Sequence, residues 1–237
     1  MNYVSDDVPI TWSVLMPVKV LARAKSRLAG LAGPRRAELA LALACDTVTA
    51  VLACQAAARV IVITDDPAAG AALAGLGALV VPDEPHSAGP GGRPPQTPPQ
   101  GGLNAALRHG AAHAAARWPG SGTAALSADL PALRPAEIGR ALRAASGWPT
   151  AFVADAAGNG TTLYTAAPGA AFRPAFGPQS RARHTTGGAA ELDLEGIPGL
   201  RRDVDTPADL RGAAALGLGP HSARLAAELL RCAPRGR

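Results

Sequence analysis

Of the 23 basic residues in this chain only two are lysine, Lys19 and Lys25, and they stand six positions apart; every other one is arginine. Ammonium is a compact point charge and guanidinium a planar fork, so the two are not interchangeable. A chain that otherwise uses arginine and keeps lysine at two neighbouring positions points to a need for a point charge there. With Arg23 and Arg27 they place four cations just after the first apolar run, a density that suits a triphosphate. The matching carboxylates lie far along the chain. In TAALSADLPAL the apolar run Ala124 to Leu126 reads as a buried strand, Pro131 forbids its continuation, and Asp129 is left at the strand's carboxyl end. Asp203 and Asp205 follow the same logic: Leu200 to Val204 is expected as a last strand, and residues two apart on a strand face one side. Carboxylates from two strand ends suit Mg²⁺, which takes oxygen ligands and borrows some from substrate phosphates. Cations together with Mg²⁺ are what phosphoryl or nucleotidyl transfer requires, because positioning and charge neutralisation do most of that work.

The elements that must hold these groups alternate. Trp12 to Val20 reads as strand one, Gly33-Pro34 opens a helix to about Ala53, and Arg59 to Thr64 is a β-branched strand. Asp66 reads as an N-cap with Pro67 at N1 of a short helix, and Ala78 to Val81 as strand three. A helix is expected from Gly101 through Trp118, with Asn104 either a nucleotide contact or a cap. After the Asp129 strand come a helix from Arg134, a strand Ala151 to Ala154, a turn at Gly158-Asn159-Gly160 and a strand Thr161 to Thr165. Phe176-Gly177-Pro178-Gln179-Ser180 leads into a short helix, SRARHTTGG, whose start offers N–H groups and a hydroxyl to an anion, with Arg181, Arg183 and His184 adding positive character. Thr206 is expected as N-cap, Pro207 at N1 and Asp209 at N3 of the next helix, and a last helix runs from about Pro220 to Cys232. Alternation from 12 to 146 argues a parallel, doubly wound sheet, with an antiparallel portion after 150.

Composition narrows the rest. The 237 residues are 48% hydrophobic and only 3% aromatic, so the core must be Ala, Leu and Val. The net charge of +5 suits an anionic partner, but no basic stripe with interleaved aromatics points to nucleic acid. No apolar run has the length of a membrane span, and MNYVSDDVPI does not read as a signal peptide, so a cytoplasmic protein is expected. Cys45, Cys54 and Cys232 make neither a disulfide framework nor a zinc site. His109 and His113 lie at i, i+4 without HExxH or a third ligand, and no GxGxxG, P-loop or Ser/His/Asp arrangement is present. Residues 1–11 and 233–237 read as frayed tails around one domain; 85–100, with six Pro and three Gly, reads as a mobile insertion.

In this order, PVKVLARAKSRL, GGLNAAL, SADLPAL, FVADAAGNGTTLYTA, FGPQSRARH and LRRDVDTPADL resemble the guanylyltransferases of coenzyme F420 biosynthesis, over roughly residues 12–230. The resemblance is greatest to the actinobacterial branch, which uses phosphoenolpyruvate. It implies a Rossmann-like nucleotidyltransferase α/β/α sandwich with a mostly parallel central sheet. It implies GTP and phosphoenolpyruvate as substrates, Mg²⁺ as cofactor, and a product passed to the F420 ligase step; 2-phospho-L-lactate and 3-phosphoglycerate are the alternative acceptors, and a catalytically silent nucleotide-binding protein is the more remote alternative. Carried over block by block, it puts the phosphoenolpyruvate contacts on Thr162, Gly177 and Ser180, and the metal on Asp129 with Asp203 or Asp205. Lys19 and Lys25 fall at phosphates. The expected catalytic set is Asp129, Asp205 and Lys25, with Arg23 and Arg27 neutralising the triphosphate. Two features depart from the family pattern: the 85–100 insertion, and Tyr164 where a small or aliphatic residue is usual.

Overall fold

The computed structural model describes residues 10–83 and 102–232. Most of the tail at 1–11, the whole 85–100 insertion and the tail at 233–237 lie outside the described residues. The strands are β1 (Trp12–Pro17), β2 (Ala57–Ile63), β3 (Leu79–Val81), β4 (Gly122–Leu126), β5 (Thr150–Ala154), β6 (Thr161–Ala166) and β7 (Ala190–Glu191). The helices are α1 (Ala29–Ala32), α2 (Arg36–Leu52), α3 (Pro67–Gly75), α4 (Gly102–Arg117), α5 (Pro135–Ala145), α6 (Ser180–Thr186), α7 (Pro198–Arg201), α8 (Pro207–Leu216) and α9 (Ala223–Cys232).

The strands form one sheet in the order β3-β2-β1-β4-β6-β5-β7. Among the described residues only β6 runs against its neighbours, pairing antiparallel with both β4 and β5. The remaining pairs are parallel. The carboxyl ends of β1, β4 and β5 and the amino end of β6 therefore share one edge. The chain order reverses between β1 and β4, and in open α/β sheets ligands bind in the crevice at that point.

Alternation along the central strands divides the core between two faces. Val14, Met16, Val60, Val62, Ala124 and Leu126 pack with residues of α2 and α5. Leu15, Ile61, Ile63 and Ala125 face Ala106, Leu107 and Ala114 of α4. With so few aromatics, tight spacing takes the place of bulk. A Cβ on Gly110 of α4 would lie 2.6 Å from Ile63 Cδ1, and one on Gly122 2.6 Å from the Trp12 ring. A third cluster joins Leu39 and Leu43 of α2 to Leu210 of α8 and Leu229 of α9.

The capping expectations hold. Asp66 accepts from the N–H groups of Ala68 and Ala69. Thr206 accepts from Asp209 N–H at 3.2 Å while Asp209 accepts in return from Thr206 N–H at 2.8 Å. Two expectations are corrected. Leu200 to Val204 is not a strand: the chain forms the helical turn α7, with Pro198 at N1, and then irregular backbone to Asp205. The apolar residues that suggested a strand, Leu200 and Val204, are buried as anchors instead. The sheet's last strand is β7, two residues long and beside β5, which is too short to leave a pattern in the sequence. Strand one also ends at Pro17: Val18 N–H makes the last bond to β2, to Ile63 C=O at 2.9 Å, and Leu21 to Lys25 folds into turns.

Candidate active site

A cleft of about 780 Å³ opens at the shared sheet edge, lined by the segments after β1, β4 and β5, the start of β6, the turn before α6, and the segment leading into α8.

Lys25 enters it from between two 3-10 turns. Its backbone is left-handed, φ 54° and ψ 42°, a conformation that a non-glycine residue adopts only where its surroundings hold it. Its ammonium bonds Asp129 and lies 2.8 Å from Asp205 Oδ1. Burial pulls the lysine down, but the two carboxylates outweigh it and hold Lys25 above the ordinary lysine range. Asp205 is raised by burial and pulled below its usual value by Lys25, with Arg27 and Lys19 adding to the pull. Asp203 behaves oppositely. Burial, with Asp129, Asp205 and Asp155 nearby, pushes its carboxyl up to about 7. These groups are fixed by backbone: Val204 N–H donates to Asp129 C=O at 3.1 Å, and Leu130 N–H to Thr47 Oγ1 at 2.9 Å. Val204 thus ties the Asp203/Asp205 segment to Asp129 without a strand.

Lys19, Lys25 and Arg27 line the cleft. Arg23, expected at the triphosphate, does not: it is exposed, because Leu21 of the same 3-10 turn is buried with Ala40 and Ala69. Asn104, expected at the nucleotide, has both ends of its amide engaged. Its Nδ2 donates to Phe176 C=O at 3.0 Å and its Oδ1 accepts from Phe176 N–H at 2.8 Å. It pins the turn that carries Gly177, whose φ of 116° excludes most side chains.

Gly177 and Ser180 line the cleft. The N–H groups of Ser180 and Arg181, however, are taken by the carbonyls of Gly177 and Asn159. The start of α6 therefore offers less to an anion than its sequence suggests. Of its basic residues, Arg181 pairs with Glu191 at 3.0 Å. His184 is buried and neutral, pushed down to about 4 by burial and by Arg183. Thr162 is fully buried with its Oγ1 unpartnered, whereas its neighbour Thr161 lines the cleft.

Sequence reasoning missed Asp155 and Thr161, both on the cleft wall. Asp155 ends β5 as Asp129 follows β4, so the strand-end argument applied to it equally. Thr161 could be found only by knowing that β6 runs backwards, which brings its first residue to the carboxyl edge.

The donor set suits a hard cation. Asp129 and Asp205 converge on one ammonium, so the space between them takes positive charge, and the ligands are all oxygen. Among the described residues no three His, Cys, Asp or Glu side chains form a ready-made cage. Mg²⁺ is usually held by one or two carboxylates with substrate phosphates completing its shell, so these residues fit it as a shared site.

With this geometry in view, the comparisons with known proteins are specific. The chain is 60% identical over 225 residues to the phosphoenolpyruvate guanylyltransferase of Thermomonospora curvata, covering 95% of this chain and 92% of that one. It is 56% identical over 220 residues to that of Streptomyces coelicolor, covering 92% and 97%. The chain belongs to the phosphoenolpyruvate guanylyltransferase family. No protein-family model matches the sequence. Among solved structures, a Desulfovibrio desulfuricans protein assigned as a nucleotide-diphospho-sugar transferase superposes with TM-score 0.65 at 16% identity, covering 93% and 96% of the two chains. A nucleotidyl transferase from Methanothermobacter superposes with TM-score 0.56 at 20% identity, covering 87% and 97%. These two likenesses bear on the fold alone, an α/β sandwich of the kind the sequence implied.

Proposed function

We propose that the protein joins phosphoenolpyruvate to the GMP moiety of GTP, giving enolpyruvoyl-2-diphospho-5'-guanosine and pyrophosphate. A phosphate oxygen of phosphoenolpyruvate attacks the α-phosphorus of GTP in line. The bond from the α-phosphorus to the β-phosphate bridging oxygen breaks, and its electron pair leaves with pyrophosphate. The attacking oxygen is already anionic at neutral pH, so no general base is required. Lys25, Lys19 and Arg27 are suited to neutralising the triphosphate. Mg²⁺ would be held by Asp129 and Asp205, with Asp203 as a further oxygen donor, and when bound would supply charge neutralisation on the phosphates. Gly177, Ser180 and the start of β6, where Thr161 lines the cleft and Thr162 is buried behind it, are the acid's side of the cleft.

The observation that carries this reading is the Asp129–Lys25–Asp205 cluster at the sheet's switch point, in a chain that matches named guanylyltransferases nearly end to end. The class of product, an activated three-carbon acid on a diphosphate, fits supply to a ligase step in coenzyme F420 formation. The test is pyrophosphate release with GTP or ATP against phosphoenolpyruvate, 2-phospho-L-lactate and 3-phosphoglycerate in parallel. Turnover with GTP and phosphoenolpyruvate above the other pairs is expected; preference for another acid or for ATP would overturn the assignment.

A further inference from the structure

His184 lies behind the cleft wall rather than in it. Its ring stacks on Tyr164 at 4.6 Å between centroids and 18° between planes, and meets the Phe176 ring edge-on at 5.4 Å. Both ring nitrogens are used. Ala175 N–H donates to Nε2 at 2.9 Å, and Nδ1 is 3.0 Å from Thr161 Oγ1. A backbone amide can only donate, so Nε2 must present a lone pair. The single hydrogen of the neutral ring is then on Nδ1, and Thr161 Oγ1 accepts it. A protonated ring would set Nε2–H against Ala175 N–H; the depressed basicity of His184 agrees with the neutral form.

This assignment leaves the Thr161 hydroxyl hydrogen without an acceptor among the described residues. Thr161 is the first residue of β6 and lines the cleft with Gly160, Gly177 and Ser180. Two strand spacings, about 10 Å, separate β6 from β1, whose following segment carries Lys19, Lys25 and Arg27. The unspent donor is thus on the acid's side of the cleft.

We propose that Thr161 donates a hydrogen bond to an anionic oxygen of the phosphorylated acid, and that His184 is the positioning residue that turns the hydroxyl toward it. The inference rests on the guanylyl-transfer reading above. It also gives a neutral histidine ring a use at this position: one lone pair and one N–H fix two partners at once. Tyr164, the departure from the family pattern, supplies the flat surface against which that ring is held.

The experiment compares Thr161→Val, which keeps the side chain's shape, with Thr161→Ser, which keeps the hydroxyl. KM for phosphoenolpyruvate and for GTP are measured separately. A hydrogen bond to a charged group corresponds to a rise in KM for the acid of about 10- to 100-fold in Thr161→Val. KM for GTP should stay within about 3-fold, and Thr161→Ser should restore the acid's KM to within about 3-fold of wild type, being a smaller loss than one such bond. His184→Phe, which fills the aromatic site without an N–H, should reproduce the acid-specific rise. Should that variant not fold, nitrogen-15 spectra of the wild-type ring give the second reading, with Nδ1 protonated and Nε2 bare. An unchanged acid KM in Thr161→Val, an equal rise for both substrates, or an Nε2–H tautomer would each overturn the proposal. Absence of wild-type turnover on any phosphorylated acid would remove the underlying reading, and this inference with it.

Discussion

The two walls of the cleft are built on opposite principles. On the β1 and β4 side, Lys25 is held between Asp129 and Asp205, and Asp203 is pushed up to about 7 among neighbouring carboxylates. Charge is balanced there only by contacts that an incoming cation or triphosphate would rearrange. On the β6 and α6 side the groups that shape the wall, Asn104 and His184, are neutral and already engaged by backbone, which leaves the Thr161 hydroxyl hydrogen open. Asn104 holds both polar groups of Phe176, and Ala175 holds His184. One wall can exchange partners; the other is set beforehand. This division suits a reaction in which phosphate charge must be handed over on one side while a small acid is held still on the other.

The difference predicts effects of different kind and size. Asp129→Asn removes a carboxylate from the exchanging wall and should lower kcat for pyrophosphate release by at least about 100-fold with folding intact. Near-normal turnover would show that this wall does not act on the phosphates. Lys25→Met should lower kcat/KM for GTP by about 10- to 100-fold, the range for a charged hydrogen bond, and Lys25→Arg should restore little, since a planar fork cannot replace a point charge between two carboxylates. Recovery in the arginine variant would contradict that account of the only two lysines.

On the preset wall the effects should be on binding and stability. Asn104→Ala leaves two backbone groups of Phe176 unpaired and should cost about 1–3 kcal/mol in chemical denaturation, with KM rising for the acid and not for GTP. An equal rise for both substrates would blur the division. The smallest effect is on pH dependence. The folded value of His184, about 4, is below the ordinary 6.5, so the unfolded chain binds more protons between them. Stability from this group is present above about 6.5 and lost as pH falls toward 4, by at most about 1.4 kcal/mol per pH unit. The wild type should therefore show a steeper acid slope than His184→Phe in urea unfolding; parallel slopes would mean the ring is not held neutral.

The same contrast marks what the sequence could reveal. The exchanging wall was legible because its parts are chemically conspicuous: two lysines among arginines, and Asp129 stranded between an apolar run and Pro131. Local rules also carried Asp66 and Thr206, whose caps depend on residues within three positions. The preset wall depends on topology. Arg23 and Asn104 had the right chemistry and the wrong direction, since burial of Leu21 turns one outward and Phe176 takes the other. His184 reads as a cation until its partners are known. Leu200 to Val204 has a strand's apolar residues without a neighbouring strand to bond, and a proline at 198 that starts a helical turn instead. Thr161 reached the cleft only because β6 is reversed.

The most direct measurement is mass detection of the product after incubation with GTP, phosphoenolpyruvate and Mg²⁺. The account predicts an adduct containing guanosine, two phosphates and the enolpyruvyl group, formed in equal amount to pyrophosphate. Release of free phosphate, or GTP left intact while phosphoenolpyruvate is bound, would contradict it.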